Sequence, residues 1–113
     1  VRTLYADGRP IETAYVEYVG AEPRRQGYGR EVMRALEAEI ERRGFRLAAL
    51  GAAVPEFYEK LGWVTWRGPT GYRNPDGTKV AMPPEEAPMV LDLGAGVDLD
   101  GLLECDWRPG DIW

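Results

Sequence analysis

The segment from Val16 to Arg30 holds the densest set of groups able to bind an anion. A β-branched and aromatic stretch runs into Pro23-Arg24-Arg25-Gln26-Gly27-Tyr28-Gly29-Arg30, and an amphipathic pattern begins directly after it. The first amides of a helix lack intrahelical partners and sit at the positive end of its dipole. Gly27 and Gly29 put no Cβ between that backbone and a ligand, and Arg24, Arg25 and Arg30 add guanidinium donors, so the segment suits a phosphate. It is not a Walker loop, because no Lys-Ser/Thr follows the glycines. Two glycines beside arginines also make an ordinary turn, and the spacing alone does not separate the two readings.

The rest of the chemistry is narrowed by what the chain lacks. It contains no histidine and no serine, and Cys105 is its single cysteine. Serine-hydrolase chemistry, Cys-His chemistry and an internal disulfide framework are therefore closed to these residues, and the usual metal ligand is missing. No metal site is expected. Proton transfer falls to carboxylates, tyrosines and lysines. The net charge of −5 is unevenly spread. Arg24, Arg25, Arg30 and Arg34 lie together, whereas Asp92, Asp98, Asp100, Glu104, Asp106 and Asp111 crowd the last third. One end suits an anion and the other a cation, and the overall acidity argues against nucleic acid as a partner.

These residues need a scaffold, and the periodicity supplies one. Residues 1–5 and 11–20 read as two strands of a hairpin joined through Asp7-Gly8-Arg9-Pro10. Val32, Met33, Leu36 and Ile40 recur at helical spacing until Gly44 stops the run. Residues 45–50 read as a buried strand, 55–61 as a short helix with Pro55 in its first turn, and 62–66 as another strand. Further strands are expected at 78–82, 89–93 and 102–107, separated by Gly/Pro-rich turns. With 113 residues and 44% hydrophobic content, the chain is expected to form one domain over residues 1–113. Its apolar runs are too short to span a membrane, so a cytoplasmic protein is expected.

In this order of elements, Arg24-Arg25-Gln26-Gly27-Tyr28-Gly29 resembles the Arg/Gln-x-x-Gly-x-Gly loop of the GCN5-related N-acetyltransferases, the GNAT superfamily. The segment Pro55-Glu56-Phe57-Tyr58-Glu59-Lys60-Leu61-Gly62-Trp63 resembles that family's short helix and following strand. Cys105-Asp106-Trp107-Arg108-Pro109-Gly110-Asp111-Ile112-Trp113 is similar to the ending of its aminoglycoside 2′-N-acetyltransferases. The resemblance runs from about Ala14 to Trp113. It implies an α/β fold built on a mixed, mostly antiparallel sheet with flanking helices, whose central strands diverge to admit acetyl-CoA. It also implies that the family's opening lobe belongs before residue 1, whether truncated, supplied elsewhere or lying in further sequence, so that the fold of these residues is N-terminally shortened and the acceptor pocket they form partly open.

For the site, the resemblance implies that Arg24, Arg25, Gln26, Gly27, Tyr28, Gly29 and Arg30 cradle the pyrophosphate, with the backbone of Val19 and Ala21 on the pantetheine arm. Tyr58 would protonate the departing thiolate. Glu17 would take the proton from the amine. The loop after Pro23 is about two residues shorter than is usual, and if the shortening falls in the strand, Tyr15 takes that place instead. Residues 15 and 17 share a strand face, so alternation leaves both open. Asp76, Asp111 and the carboxylate of Trp113 would hold a polycationic amine, with Trp63, Trp66 and Trp107 as core or wall and Cys105 as a structural residue. The expected function is acetyl transfer from acetyl-CoA to an aminoglycoside 2′-amino group, with a homodimer plausible. Another amine acceptor, or a non-catalytic module that binds coenzyme A or self-associates, are the alternatives.

Overall fold

A computed structural model describes residues 1–17 and 28–113. The chain opens with β1 (Arg2–Ala6) and β2 (Arg9–Val16), paired antiparallel from Arg2↔Thr13 to Ala6↔Arg9. The turn between them is only Asp7-Gly8, tighter than the four residues read from the sequence. Both sit in the left-handed region, at φ 50° and 83°, which a two-residue hairpin of matching twist requires. The Asp7 carboxylate then accepts the Leu102 amide at 2.9 Å, tying the hairpin to a distant loop.

Helix α1 (Tyr28–Arg42) follows, and Met33 and Ile40 point its apolar stripe into the core. It ends where expected. Gly44 adopts φ 84°, Phe45 N–H reaches back to Ile40 O at 3.3 Å and Gly44 N–H to Glu41 O at 3.0 Å, a Schellman closure. That closure uses Phe45, so β3 (Leu47–Leu50) starts later than the apolar run suggests. Helix α2 (Pro55–Glu59) closes in the same manner around Gly62, with Trp63 N–H on Tyr58 O at 3.1 Å. Among the described residues the further strands are β4 (Val64–Thr65), β5 (Thr70–Arg73), β6 (Lys79–Met82), β7 (Met89–Asp92) and β8 (Leu103–Asp106), with a 3₁₀ turn at Pro84–Glu86.

The eight strands form one mixed sheet in the order β4-β7-β3-β2-β1-β8-β5-β6. Its pairs are antiparallel except β2 with β3 and β5 with β8. Strand β5 was not anticipated from the sequence, because Gly68-Pro69 just before it read as turn punctuation and Gly68 and Gly71 stand close together. Those glycines instead permit close approach: a Cβ on Gly71 would stand 2.6 Å from Val80 O, and one on Gly68 only 2.1 Å from Gly101 O.

Strand β3 lies at the heart of the sheet and is buried along its whole length. Its alternation divides the core. Leu47 and Ala49 pack on one face with Leu4, Trp66, Val90, Leu103 and Cys105. Ala48 and Leu50 pack on the other with Met33, Ile40, Leu61, Trp63 and Met89, beneath the two helices. Trp63 and Trp66 are thus core residues, each with its indole N–H satisfied at 2.9 Å, by Glu37 and by Gly101 O. Trp107 is exposed at the surface. Cys105 is fully buried, and that burial pushes its thiol pKa up, so it stays a thiol. Among the described residues no helix is long and apolar enough to cross a membrane.

Candidate functional site

The parallel pairing of β2 with β3 ends at Val16↔Leu50. Glu17 and Gly51 therefore stand just past the ends of two adjacent strands. The segment after β8 folds back over this point. Trp107 N–H still bonds Arg73 O at 2.8 Å, and then Arg108 turns its guanidinium onto the Glu17 carboxylate and donates through Nε to Asp111 O at 2.7 Å. Arg2 donates to Ile112 O at 2.9 Å. The Trp113 backbone lies so close to Gly51 that an added Cβ there would be 2.9 Å from its carbonyl carbon and oxygen.

These contacts enclose a cavity of about 340 Å³ lined by Tyr15, Glu17, Gly51, Arg108, Asp111 and Trp113 among others. A second groove of about 320 Å³ shares Gly51, Asp111 and Trp113, and adds Glu85 and Glu86 from the 3₁₀ turn. Asp111, Glu85 and Glu86 are exposed carboxylates facing one groove. The glutamates were missed in the sequence because nothing in a Pro-Pro-Glu-Glu stretch shows that it lies across from residue 111.

Most of the acidity of the last third is used internally. Asp92 is partly desolvated, yet backbone amides of Gly94, Val97, Gly96 and Ala95 outweigh that and hold its carboxyl below the usual range. Glu104 is buried against Arg73 at 3.0 Å, Asp100 pairs with Arg67 at 3.0 Å, and Asp106 accepts Tyr5 Oη at 3.3 Å. Of the acidic residues singled out there, Asp111 is the one lining the groove. Asp76 sits at the β5–β6 turn, where its carboxylate accepts Thr78 Oγ1 at 2.7 Å and Thr78 N–H at 3.0 Å, bonds that lower its pKa. It lines neither the cavity nor the groove.

Tyr15 and Glu17 share the cavity, as strand alternation requires, but differ in environment. The Tyr15 hydroxyl is buried and has no hydrogen-bond partner among the described residues. Burial pushes its pKa up to about 12, against the opposing pull of Arg2 and Arg108, whose guanidinium carbons lie 4.5 and 5.1 Å from its ring centroid. The Glu17 side chain is 59% exposed. Because the phenol is higher in the folded state than its ordinary 10.0, its stabilising contribution is complete below pH 10 and is lost as pH climbs through about 12. In an alkaline ultraviolet titration, Tyr15→Phe is therefore expected to delete a phenol that ionises near pH 12 and to shrink the loss of stability in that window. Loss of a phenol that titrates near 10 would contradict the assignment.

Tyr58 lies on α2, half-buried, with its ring edge-on to Phe57 at 5.0 Å and to Trp63 at 6.5 Å. Desolvation raises its pKa, which keeps the phenol protonated at neutral pH. It packs on the helix face of the sheet and does not line the cavity around Glu17. Tyr28, Gly29 and Arg30 open α1, with Gly29 buried and Arg30 exposed. Val19, Ala21, Arg24, Arg25, Gln26 and Gly27 lie outside the described residues. Among the described residues no three Cys, Asp or Glu side chains gather as metal ligands would.

Residues 2–65, more than half of the chain, match the acetyltransferase (GNAT) domain. The chain belongs to the GNAT acetyltransferases. The mixed sheet, with β2 and β3 parallel at its centre and α1 leading from one to the other, is the GNAT fold. This GNAT chain is similar to the aminoglycoside 2′-N-acetyltransferase of Mycolicibacterium fortuitum, with 38% identity over 120 residues. The match takes in 99% of the chain and 60% of that relative. The GNAT chain thus spans about three-fifths of the relative's length.

Proposed function

We propose that this chain carries an acetyl-CoA-dependent N-acetyltransferase site whose acceptor is a polycationic amine, with the 2′-amino group of aminoglycosides as the preferred target. The observation that carries the reading is the single carboxylate Glu17 at the end of the paired strands, opening beside a groove edged by Asp111, Glu85 and Glu86. Several carboxylates facing one groove hold several ammonium groups at once. The relative's name points the same way.

On the donor side, the start of α1 suits an anionic ligand: Gly29 puts no Cβ beside the first helical amides and Arg30 is exposed next to it. With Arg24, Arg25, Gln26, Gly27 and Tyr28 they would hold the pyrophosphate, and the backbone of Val19 and Ala21 the pantetheine arm. The acceptor amine attacks the thioester carbonyl carbon directly. Its surplus proton passes to the Glu17 carboxylate, directly or through water. Backbone amides stabilise the tetrahedral oxyanion, the C–S bond breaks, and Tyr58 gives its proton to the sulfur. Tyr15, which burial keeps protonated, does not serve as the base.

Tyr58→Phe deletes one hydroxyl from a half-buried ring and keeps its packing. It is expected to lower kcat about a hundredfold, the lower end of what a positioned general acid contributes, with the KM for acetyl-CoA nearly unchanged. An unaltered kcat would remove Tyr58 from the chemistry. The reading as a whole is tested by thiol release from acetyl-CoA with kanamycin B, which has a 2′-amino group, against kanamycin A, which has a hydroxyl there. Turnover with kanamycin B alone is expected. Equal turnover with both would point to a different amine, and silence with both, despite binding of coenzyme A by calorimetry, to a binding module.

A further inference from the structure

Arg108 ties together three parts of the candidate site. Its side chain is 27% exposed, its Nη1 meets Glu17 Oε1, its Nε holds Asp111 O at 2.7 Å, and its guanidinium lies over the Tyr15 ring. Glu17 stands beyond the last paired residue of β2, where the ladder no longer orients it, and a free glutamate there samples many rotamers. Among the described residues, the contact to Arg108 uses one carboxylate oxygen, Oε1, and Oε2 is the atom positioned to take an incoming proton.

We propose that Arg108 is a positioning residue: it fixes the Glu17 carboxylate at the mouth of the cavity and joins it to the segment bearing Asp111 and Trp113. The proposal rests on the reading of Glu17 as the base. A guanidinium does not give up its proton, so Arg108 orients the base without competing for the substrate's proton. Its charge also offsets that of Glu17, so this carboxylate adds little to cation binding, which falls to Asp111, Glu85 and Glu86. The two duties thereby fall to different carboxylates.

The separation predicts a split between kcat and KM. Arg108→Ala is expected to lower kcat by up to about a hundredfold, as loss of orientation does, while the KM for the polyamine stays level or falls because a carboxylate has been uncovered. Millimolar guanidinium is expected to restore part of the Arg108→Ala rate and none of the Glu17→Gln rate. Arg108→Lys, which keeps the charge, guards against simple misfolding and should lie between wild type and alanine. The double variant Glu17→Gln/Arg108→Ala should be no slower than Glu17→Gln alone. A raised KM at unchanged kcat, additive losses in the double variant, or rescue of neither variant would each overturn the positioning role. The same four proteins are melted in parallel. Silence of the wild type with every amine overturns the acetyltransfer reading and the catalytic role with it. A working wild type whose Arg108→Ala variant keeps full kcat overturns the positioning role alone.

Discussion

Replacing Glu17 by Gln is expected to lower kcat for amine acetylation by about two to three orders of magnitude, the range over which a positioned base accelerates proton loss. The side chain is 59% exposed, so the fold is expected to survive. Its ion pair with Arg108 is replaced by a neutral amide that still accepts a hydrogen bond, a loss on the order of 1 kcal/mol or less for so exposed a pair. Binding of coenzyme A, read by calorimetry, is expected to be unchanged, since Glu17 is not among the groups assigned to the pyrophosphate. Steady-state thiol release across acceptor concentrations separates the outcomes. A fall in kcat at nearly constant KM supports proton transfer, whereas a raised KM with kcat intact would make Glu17 one more cation contact.

The largest effect on stability is expected at Trp63. Its side chain is 1% exposed, its ring meets Tyr58 edge-on, and its indole N–H donates to Glu37 at 2.9 Å. Trp63→Ala opens a cavity between α1, α2 and the sheet and is expected to cost about 3–5 kcal/mol. In a domain of this size that corresponds to a fall in Tm on the order of 20 °C. Glu37 would lose one partner but keep Arg34 at 3.0 Å, so the cost is chiefly one of packing. Trp63→Phe refills most of the volume and should recover more than half of the loss in a thermal melt. Because Trp63 supports the Tyr58 ring, kcat of the phenylalanine variant is expected to fall more than its stability does. A variant that melts as wild type would contradict the placement of Trp63 in the core.

How much of this was readable in advance differs by region. Helix α1 was legible because Met33, Leu36 and Ile40 mark one face and Gly44 has no substitute at its closing turn. The β1–β2 hairpin was legible for the same local reasons, though the Asp7-Gly8 turn is tighter than the Gly/Pro content suggested. Strand β5 was hidden by the Gly68-Pro69 turn signal just before it; Gly68 here lets the chain pass close to Gly101, and Gly71 lets β5 and β6 approach. Asp76 stands in a turn, and its carboxylate is engaged by Thr78.

The site itself was half legible. Glu17, Asp111 and Trp113 could be named from the sequence, and they meet around one cavity. Their companions could not. Glu85 and Glu86 join the groove only because β6, the 3₁₀ turn and β7 carry them across from the segment after β8. Arg108 reaches Glu17 across 91 positions of chain, and no local pattern announces such a contact. The acidic crowding of the last third was a misleading signal, because Asp92 caps a loop, Asp100 and Glu104 sit in ion pairs, and Asp106 accepts the Tyr5 hydroxyl. Charge counted along a chain does not say which charges remain available to a ligand.

The most direct test of the central claim is the fate of the acetyl group. The protein would be incubated with acetyl-CoA and kanamycin B, and the antibiotic recovered for mass spectrometry and for nuclear magnetic resonance of its 2′ position. The account predicts a singly acetylated drug, modified at the 2′ nitrogen, formed in step with free thiol and strongly diminished in Glu17→Gln. Recovery of unmodified kanamycin B, or of a product acetylated elsewhere, would contradict it.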